Sequence, residues 1–307
     1  MHLSYKKIGF KIILEKEVNF SVPVPFLFRS VIGFQLRKMC CIARNAVCAD
    51  CMFNVSCIYG ITFESIVPKD NAAITGRDRI SHPIIIDSDI FAGTTANSLL
   101  VSIIFLGTSI PYFPYFYHAL VKAGEAGIAR ERVPYQVKDI VEISETGKER
   151  SLLMDGQKID TRIKPERWEC RAETGAEAEK NVKVTLLSPL RFKGQDKYVY
   201  KPAEAHLAMC LHRRMQLLCS HYGHYHYSGG YKFSGGWTII QQDLEWRNFV
   251  HYSVRQKKPV RLGGLLGSLT LAGTFSPYEY GFLRFAELFH GGKYTNFGLG
   301  KMRVEEI

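Results

Sequence analysis

Nothing in the 307-residue sequence is apolar for long enough to cross a bilayer as a helix: SLLVSIIFLG (Ser98–Gly107) runs for ten residues and is followed by Thr108, Ser109 and Pro111, where a span needs about 20. No secretory leader pattern opens MHLSYKKIGF, so a soluble, cytoplasmic protein without a membrane partner is expected. Acidic side chains are scarce, 29 against 40 basic ones, and residues 181–307 alone hold 17 basic and 8 acidic side chains. Nine of the eleven excess charges therefore lie in the second half, an asymmetry that points to a polyanionic partner; a merely soluble basic surface is the alternative. Evenly spread cysteines are lacking too. Four of the eight crowd into seventeen residues, Cys41 to Cys57, which argues against a secreted disulfide framework and for metal binding or reduced thiols.

What is present can build a large core, since 46% of residues are hydrophobic and 12% aromatic, and a chain of this length is expected to form two domains. YKKIGFKIILE (Tyr5–Glu15) reads as an opening strand, and PFLFRSVIGFQLRKM (Pro25–Met39) as a helix through the spacing of Phe28, Val31, Ile32 and Leu36. After a cysteine-rich insert (40–57) come two strands, HPIIIDSD and SLLVSIIFLG, then a helix, a glycine-bearing loop and a closing strand. This first domain spans 1–143. Residues 144–180 are polar and mixed in charge, a connector with a short hairpin about Asp155-Gly156.

The second domain, 181–307, repeats the order. VKVTLLSPLRF is a strand, and Leu207, Leu211, Met215 and Leu218 recur at helical spacing; the chain then closes with strand, helix, glycine loop and final strand. Gly107, Thr108, Pro111 and Tyr112 match Gly273, Thr274, Pro277 and Tyr278 at a constant offset of 166, which reads as a weak internal repeat of an α+β unit.

The terminal stretch GGKYTNFGLGK (Gly291–Lys301) holds Gly291, Gly292, Gly298 and Gly300, flanked by Lys293 and Lys301. Bare backbone N–H groups beside lysines can cradle phosphates; the alternative is a tight turn into the last strand. A dinucleotide loop is disfavoured, because that motif sits between a first strand and a first helix.

LLSPLRFK, LHRRMQLL, LEWRNFVHYSVRQKKPVRLGGLLG and FHGGKYTNFGLGK resemble, in order, the C-terminal domain of the CRISPR repeat-processing endoribonucleases of the repeat-associated mysterious protein (RAMP) superfamily. LRKMCCIARNAVCADCMFNVSCIYGITFE and GEAGIARERVPYQ extend the resemblance to the first half. It implies two tandem ferredoxin-like, RNA-recognition-type domains with a C-terminal glycine-rich loop. It also implies metal-independent cutting of precursor CRISPR RNA inside each repeat by 2′-hydroxyl attack, leaving a 2′,3′-cyclic phosphate. The alternative is a non-catalytic repeat-RNA-binding subunit among the other subunits of a CRISPR effector complex. The family often takes its general base from a histidine near the first helix. This chain departs from that pattern, since no histidine occurs between His2 and His82.

His290, directly before the glycine loop, is therefore the first choice as general acid or base, with Lys293 on the phosphate; its alternative role is to close a helix C-terminally. Tyr252 is a second proton carrier. Arg255, Gln256, Lys257 and Lys258 are read as RNA-binding with Gly291, Gly292, Gly298, Gly300 and Lys301. His221, His224 and His226 stand among tyrosines suited to stacking on unpaired bases or to an ordinary surface loop. Cys41, Cys48, Cys51 and Cys57, with Cys40 an alternative for the first position, could complete a tetrahedral zinc site or hold an iron–sulfur cluster, and packing of plain thiols is the third account. No cofactor is expected in the catalytic step.

Overall fold

The computed structural model describes residues 1–44, 46–66, 80–156, 158–170, 176–224, 231–253 and 258–307. They form two compact units, Leu3–Trp168 and Met1–His2 with Glu169–Ile307. Among the described residues no helix is long and apolar enough to cross a membrane.

The first unit is built from β1 (His2–Asn19), α1 (Val24–Cys40), β2 (Ile84–Ser88), β3 (Thr95–Leu106), α2 (Phe113–Ala126) and β4 (Tyr135–Ile143). The strands pair antiparallel in the order β2-β3-β1-β4, a ferredoxin-like sheet. Phe28, Ile32 and Leu36 of α1 recur four apart and are fully buried, as are Phe105 and Phe116; this stripe seals one face of the sheet. The connector divides. Glu149–Ser151 extends the sheet along β4, and Leu153–Met154 pairs with Lys158–Ile159 around Asp155 and Gly156, whose φ values of 50° and 71° lie in the left-handed region that tight turns use.

The second unit repeats the plan with β5 (Ala178–Leu190), α3 (Glu204–Tyr222), β6 (Trp237–Ser253), β7 (Lys258–Phe275), α4 (Pro277–Phe289) and β8 (Met302–Glu306). Its strand order β6-β7-β5-β8 is the same permutation. Leu207, Leu211, Met215 and Leu218 of α3 are buried as their spacing predicts. Ser276 caps α4 by accepting the Glu279 N–H, with Pro277 in the first turn.

The repeat is thus one of topology. The offset of 166 does not survive as structural equivalence: Gly107 follows the end of β3 whereas Gly273 lies inside β7, and Pro111 precedes α2 whereas Pro277 opens α4. Loops of different length shift the two halves against each other.

Candidate nucleic-acid interface

The glycine loop sits where α4 ends, and its anchor lies far away in sequence. Arg214 of α3 is buried and donates from Nε to the carbonyl of His290 and from Nη2 to that of Phe289, each at 3.3 Å. A helix leaves its last carbonyls unpaired, and a cation there satisfies them and the dipole together. Burial pulls the Arg214 guanidinium down to about 10, a measure of what its position costs.

His290 is 2% exposed, and its Nδ1 donates to the Leu299 carbonyl at 3.2 Å. Its backbone takes φ 57°, ψ 148°, a region that costs a non-glycine residue about 1–3 kcal/mol. The ring put forward from the sequence as general acid or base is packed inside the domain and ties the loop to itself.

Three of the loop's glycine N–H groups already have backbone acceptors. The N–H of Gly291 donates to Gly300 O (2.8 Å), that of Gly298 to Thr295 O (2.9 Å), and that of Gly300 to Pro189 O (3.0 Å). Lys293 N–H goes to Arg191 O (2.7 Å) and Lys301 N–H to Ser188 Oγ (2.8 Å). These donors are spent on the loop and on the end of β5. Gly300, at φ 77°, is required for another reason: a Cβ there would overlap the Gly291 carbonyl. Gly292, Gly298 and Gly300 all take a positive φ of 73–77°, the backbone that a tight turn uses.

What the loop presents outward is side chains. Lys293 and Tyr294 are exposed and Lys301 is half-buried. Across the contact with β5, the Arg191 guanidinium lies 4.1 Å from the Tyr198 ring centroid and 5.3 Å from that of Tyr294, and Lys193 Nζ is 5.6 Å from Tyr198. Tyr198 and Tyr200 flank Trp246 of β6, with centroids 6.0 and 4.4 Å away. Arg191 Nη1 donates to the carbonyls of Arg261 and Gly263 at 3.4 and 3.3 Å. Arg191, Tyr198, Tyr200, Trp246 and Tyr294 were missed in the sequence, although the interleaving of basic and aromatic residues in RFKGQDKYVYK was a readable signal.

Tyr252 pairs in register with Pro259, two residues beyond Arg261, so its backbone stands at the same end of the sheet as Arg191. The side chains of His251 and Tyr252, and all of Arg255, Gln256, Lys257 and His226, lie outside the described residues. Lys258 opens β7 and is exposed. His221 is half-buried on the last turn of α3, and the ring of His224 lies 4.6 Å from that of His2.

Among the described residues no group of three or more His, Cys, Asp or Glu is placed to hold an ion. Cys40, Cys48 and Cys57 instead pack partly buried against the first unit's core, and burial pushes the Cys40 thiol up, with Cys57 and Cys41 adding to it.

Comparison with known proteins agrees with this geometry. Residues 184–302 match the CRISPR-associated endoribonuclease Cas6 family, and residues 3–167 match the N-terminal domain family AF_1859_N. No curated protein matches the chain. Among solved structures, a product complex of the Cas6 TTHB231 superposes with a TM-score of 0.53 at 13% identity, over 99% of both chains. Thermus thermophilus Cas6 (TTHB231) gives 0.51 at 12%, again over 99% of both. A partial Cas6-RT-Cas1–Cas2 complex gives 0.55 at 11%, over 99% of this chain and 46% of that one. Identities this low speak for the shared fold. Over more than half its length the chain belongs to the AF_1859_N family by its N-terminal domain, and its C-terminal domain, with the same duplicated ferredoxin-like sheet, is similar to the CRISPR-associated endoribonuclease Cas6 family.

Proposed function

We propose that this chain cuts precursor CRISPR RNA within its repeats, the 2′-hydroxyl beside the scissile phosphate attacking to leave a 2′,3′-cyclic phosphate, without a catalytic metal. The observation that carries the reading is the Cas6-family match across residues 184–302, which ends on the glycine loop and its basic, aromatic outer edge. Such chemistry asks the protein to align the hydroxyl, move two protons and neutralise the phosphorane. Lys293, exposed on the loop, supplies the positive charge. Tyr252, at the same end of the sheet, is the candidate proton carrier. His290 acts through the loop as a positioning residue. Arg255, Gln256, Lys257, Lys258 and Lys301 hold the RNA backbone.

Incubating the purified chain with its genomic repeat RNA in chelator tests this. Cleavage at one position with a cyclic phosphate on the upstream product is expected. Tight binding without cleavage would favour a repeat-binding subunit, the reading that the lack of histidine between His2 and His82 supports. His290→Ala sharpens the roles: a positioning residue loses stability and RNA affinity together, whereas an acid or base slows single-turnover cleavage by roughly 10²- to 10⁴-fold with affinity intact.

For the cysteine segment, packing of thiols fits better than zinc or an iron–sulfur cluster on Cys41, Cys48, Cys51 and Cys57. One equivalent of zinc or iron in protein purified without chelator would reverse that preference.

A further inference from the structure

The loop and the end of β5 leave one cation under-used. Arg191 has Nη1 on two backbone carbonyls at the long end of hydrogen-bond range, while its Nε is buried with no hydrogen-bond acceptor. A buried donor without an acceptor is destabilising, and here the guanidinium lies against two aromatic rings, 4.1 Å from the Tyr198 centroid and 5.3 Å from that of Tyr294. Arginine fixed in this way is already oriented for phosphate, because the rings remove its rotational freedom while leaving the charge.

Next to it stands an aromatic surface that the core does not consume. Tyr200 is 62% exposed and lies tilted at 46° against Trp246, with centroids 4.4 Å apart. The Trp246 indole N–H is held by Asn248 Oδ1 at 3.0 Å, which fixes the ring. A tilted, immobilised pair with an open ring face offers stacking to a flat partner.

We infer that Arg191, Tyr198, Tyr200, Trp246 and Tyr294 form a nucleotide-binding rack that takes one unpaired base of single-stranded RNA on the Tyr200–Trp246 face and its phosphate at Arg191 and Lys193. This deepens the proposed RNA processing by naming the kind of RNA this surface grips. A double helix does not suit the rack, since paired bases keep their faces inside the stack.

The test uses the full chain and a short oligouridine, with a blunt RNA duplex as the competing probe. Base stacking on Trp246 is expected to quench tryptophan fluorescence, and Trp246→Phe should bind the oligomer but lose that quenching. Tyr200→Ala, at an exposed position that folding does not need, should weaken oligouridine binding about tenfold, within the usual contribution of one stacked base. Arg191→Lys should weaken it about as much, because an ammonium has no planar face to hold between the rings. Unchanged affinity in Tyr200→Ala and Arg191→Lys, or duplex bound as tightly as oligouridine, overturns the rack. Repeat cleavage measured alongside separates the two readings. An uncut repeat with Trp246-dependent quenching removes the processing activity and keeps the rack. Normal cleavage with unaffected variants removes the rack and keeps the processing.

Discussion

The two domains close in the same place and by different means. After α2 the chain turns at Gly127 (φ 76°), whose N–H returns to Ala123 O, and Ile128 and Val133 exchange both backbone bonds at 2.9 Å. Everything needed lies between the last turn of α2 and Val133. After α4 the carbonyls are taken by Arg214, from another helix, and the loop is tied to Pro189, Arg191 and Ser188 at the end of β5. A local closure only finishes a fold. The longer, remotely anchored closure reaches the sheet's end and sets Lys293 and Tyr294 beside Arg191, which is how one topology comes to carry a plain loop in one half and a basic, aromatic edge in the other.

That contrast can be broken most forcefully at Gly300. Its replacement by Ala needs the Gly291 carbonyl to move and is expected to cost more than about 4 kcal/mol, an exceptional value for one substitution, with loss of RNA binding. Gly147, at φ 79° with nothing within 4 Å of a Cβ, should tolerate Ala for about 1–2 kcal/mol. Gly127→Ala, which would overlap the Arg132 carbonyl, should destabilise the first domain without changing the RNA affinity of folded protein. Urea titrations read all three, and equal costs at Gly300 and Gly147 would show that only φ matters.

Acid should separate the domains next. Burial pulls His212 of α3 down to about 4; the unfolded chain accepts a proton near pH 6.5 that the folded domain refuses until about 4. Stability of the second domain should therefore fall between those values as pH is lowered, by up to about 3 kcal/mol. In the first domain burial works against Glu142, but hydrogen bonds from Arg150 and Lys6 win and hold its carboxyl low. That stabilisation persists until pH drops below the ordinary carboxylate range. Fluorescence of Trp237 in a Trp168→Phe, Trp246→Phe background follows the second domain alone, and a pH-independent midpoint from 6.5 to 4 would dismiss the His212 effect.

Arg214→Met, which leaves two carbonyls unpaired, should cost about 2 kcal/mol, measured by the same unfolding titration; an unchanged midpoint would mean that the loop does not depend on its remote anchor. The smallest change is in charge. Lys293→Ala should weaken repeat-RNA binding about tenfold and flatten its salt dependence by about one counterion, whereas Arg132→Ala, on the matching loop of the first domain, should stay within about twofold. Equal losses at both would erase the functional contrast.

The order of elements was legible because its signals are local. The four-residue spacing of Leu207, Leu211 and Met215 is a property of one helix, and Asp155-Gly156 announces a turn from two adjacent residues. Two ferredoxin-like sheets follow from that order. The site was less legible. His290 sits before the glycines as if offered to a substrate, yet its burial depends on Arg214, 76 residues earlier, and no spacing rule links them. Arg191 and Trp246 likewise come to share Tyr198 as a neighbour only after β5 and β6 are laid into one sheet. In the cysteine insert, four thiols at ligand-like intervals carried a pattern, while the apolar surroundings that absorb Cys40, Cys48 and Cys57 are assembled from distant elements.

The remote anchor also orders events in time. The last turn of α4 cannot be satisfied before α3 has docked, and the loop cannot settle on β5 before that turn is complete. Backbone amides from Gly291 to Lys301 are accordingly expected to open together with α3 in hydrogen exchange, even though they lie in different stretches of the chain. The first domain's closing loop needs no such partner and can form as soon as α2 does, so its amides exchange on the schedule of a local hairpin.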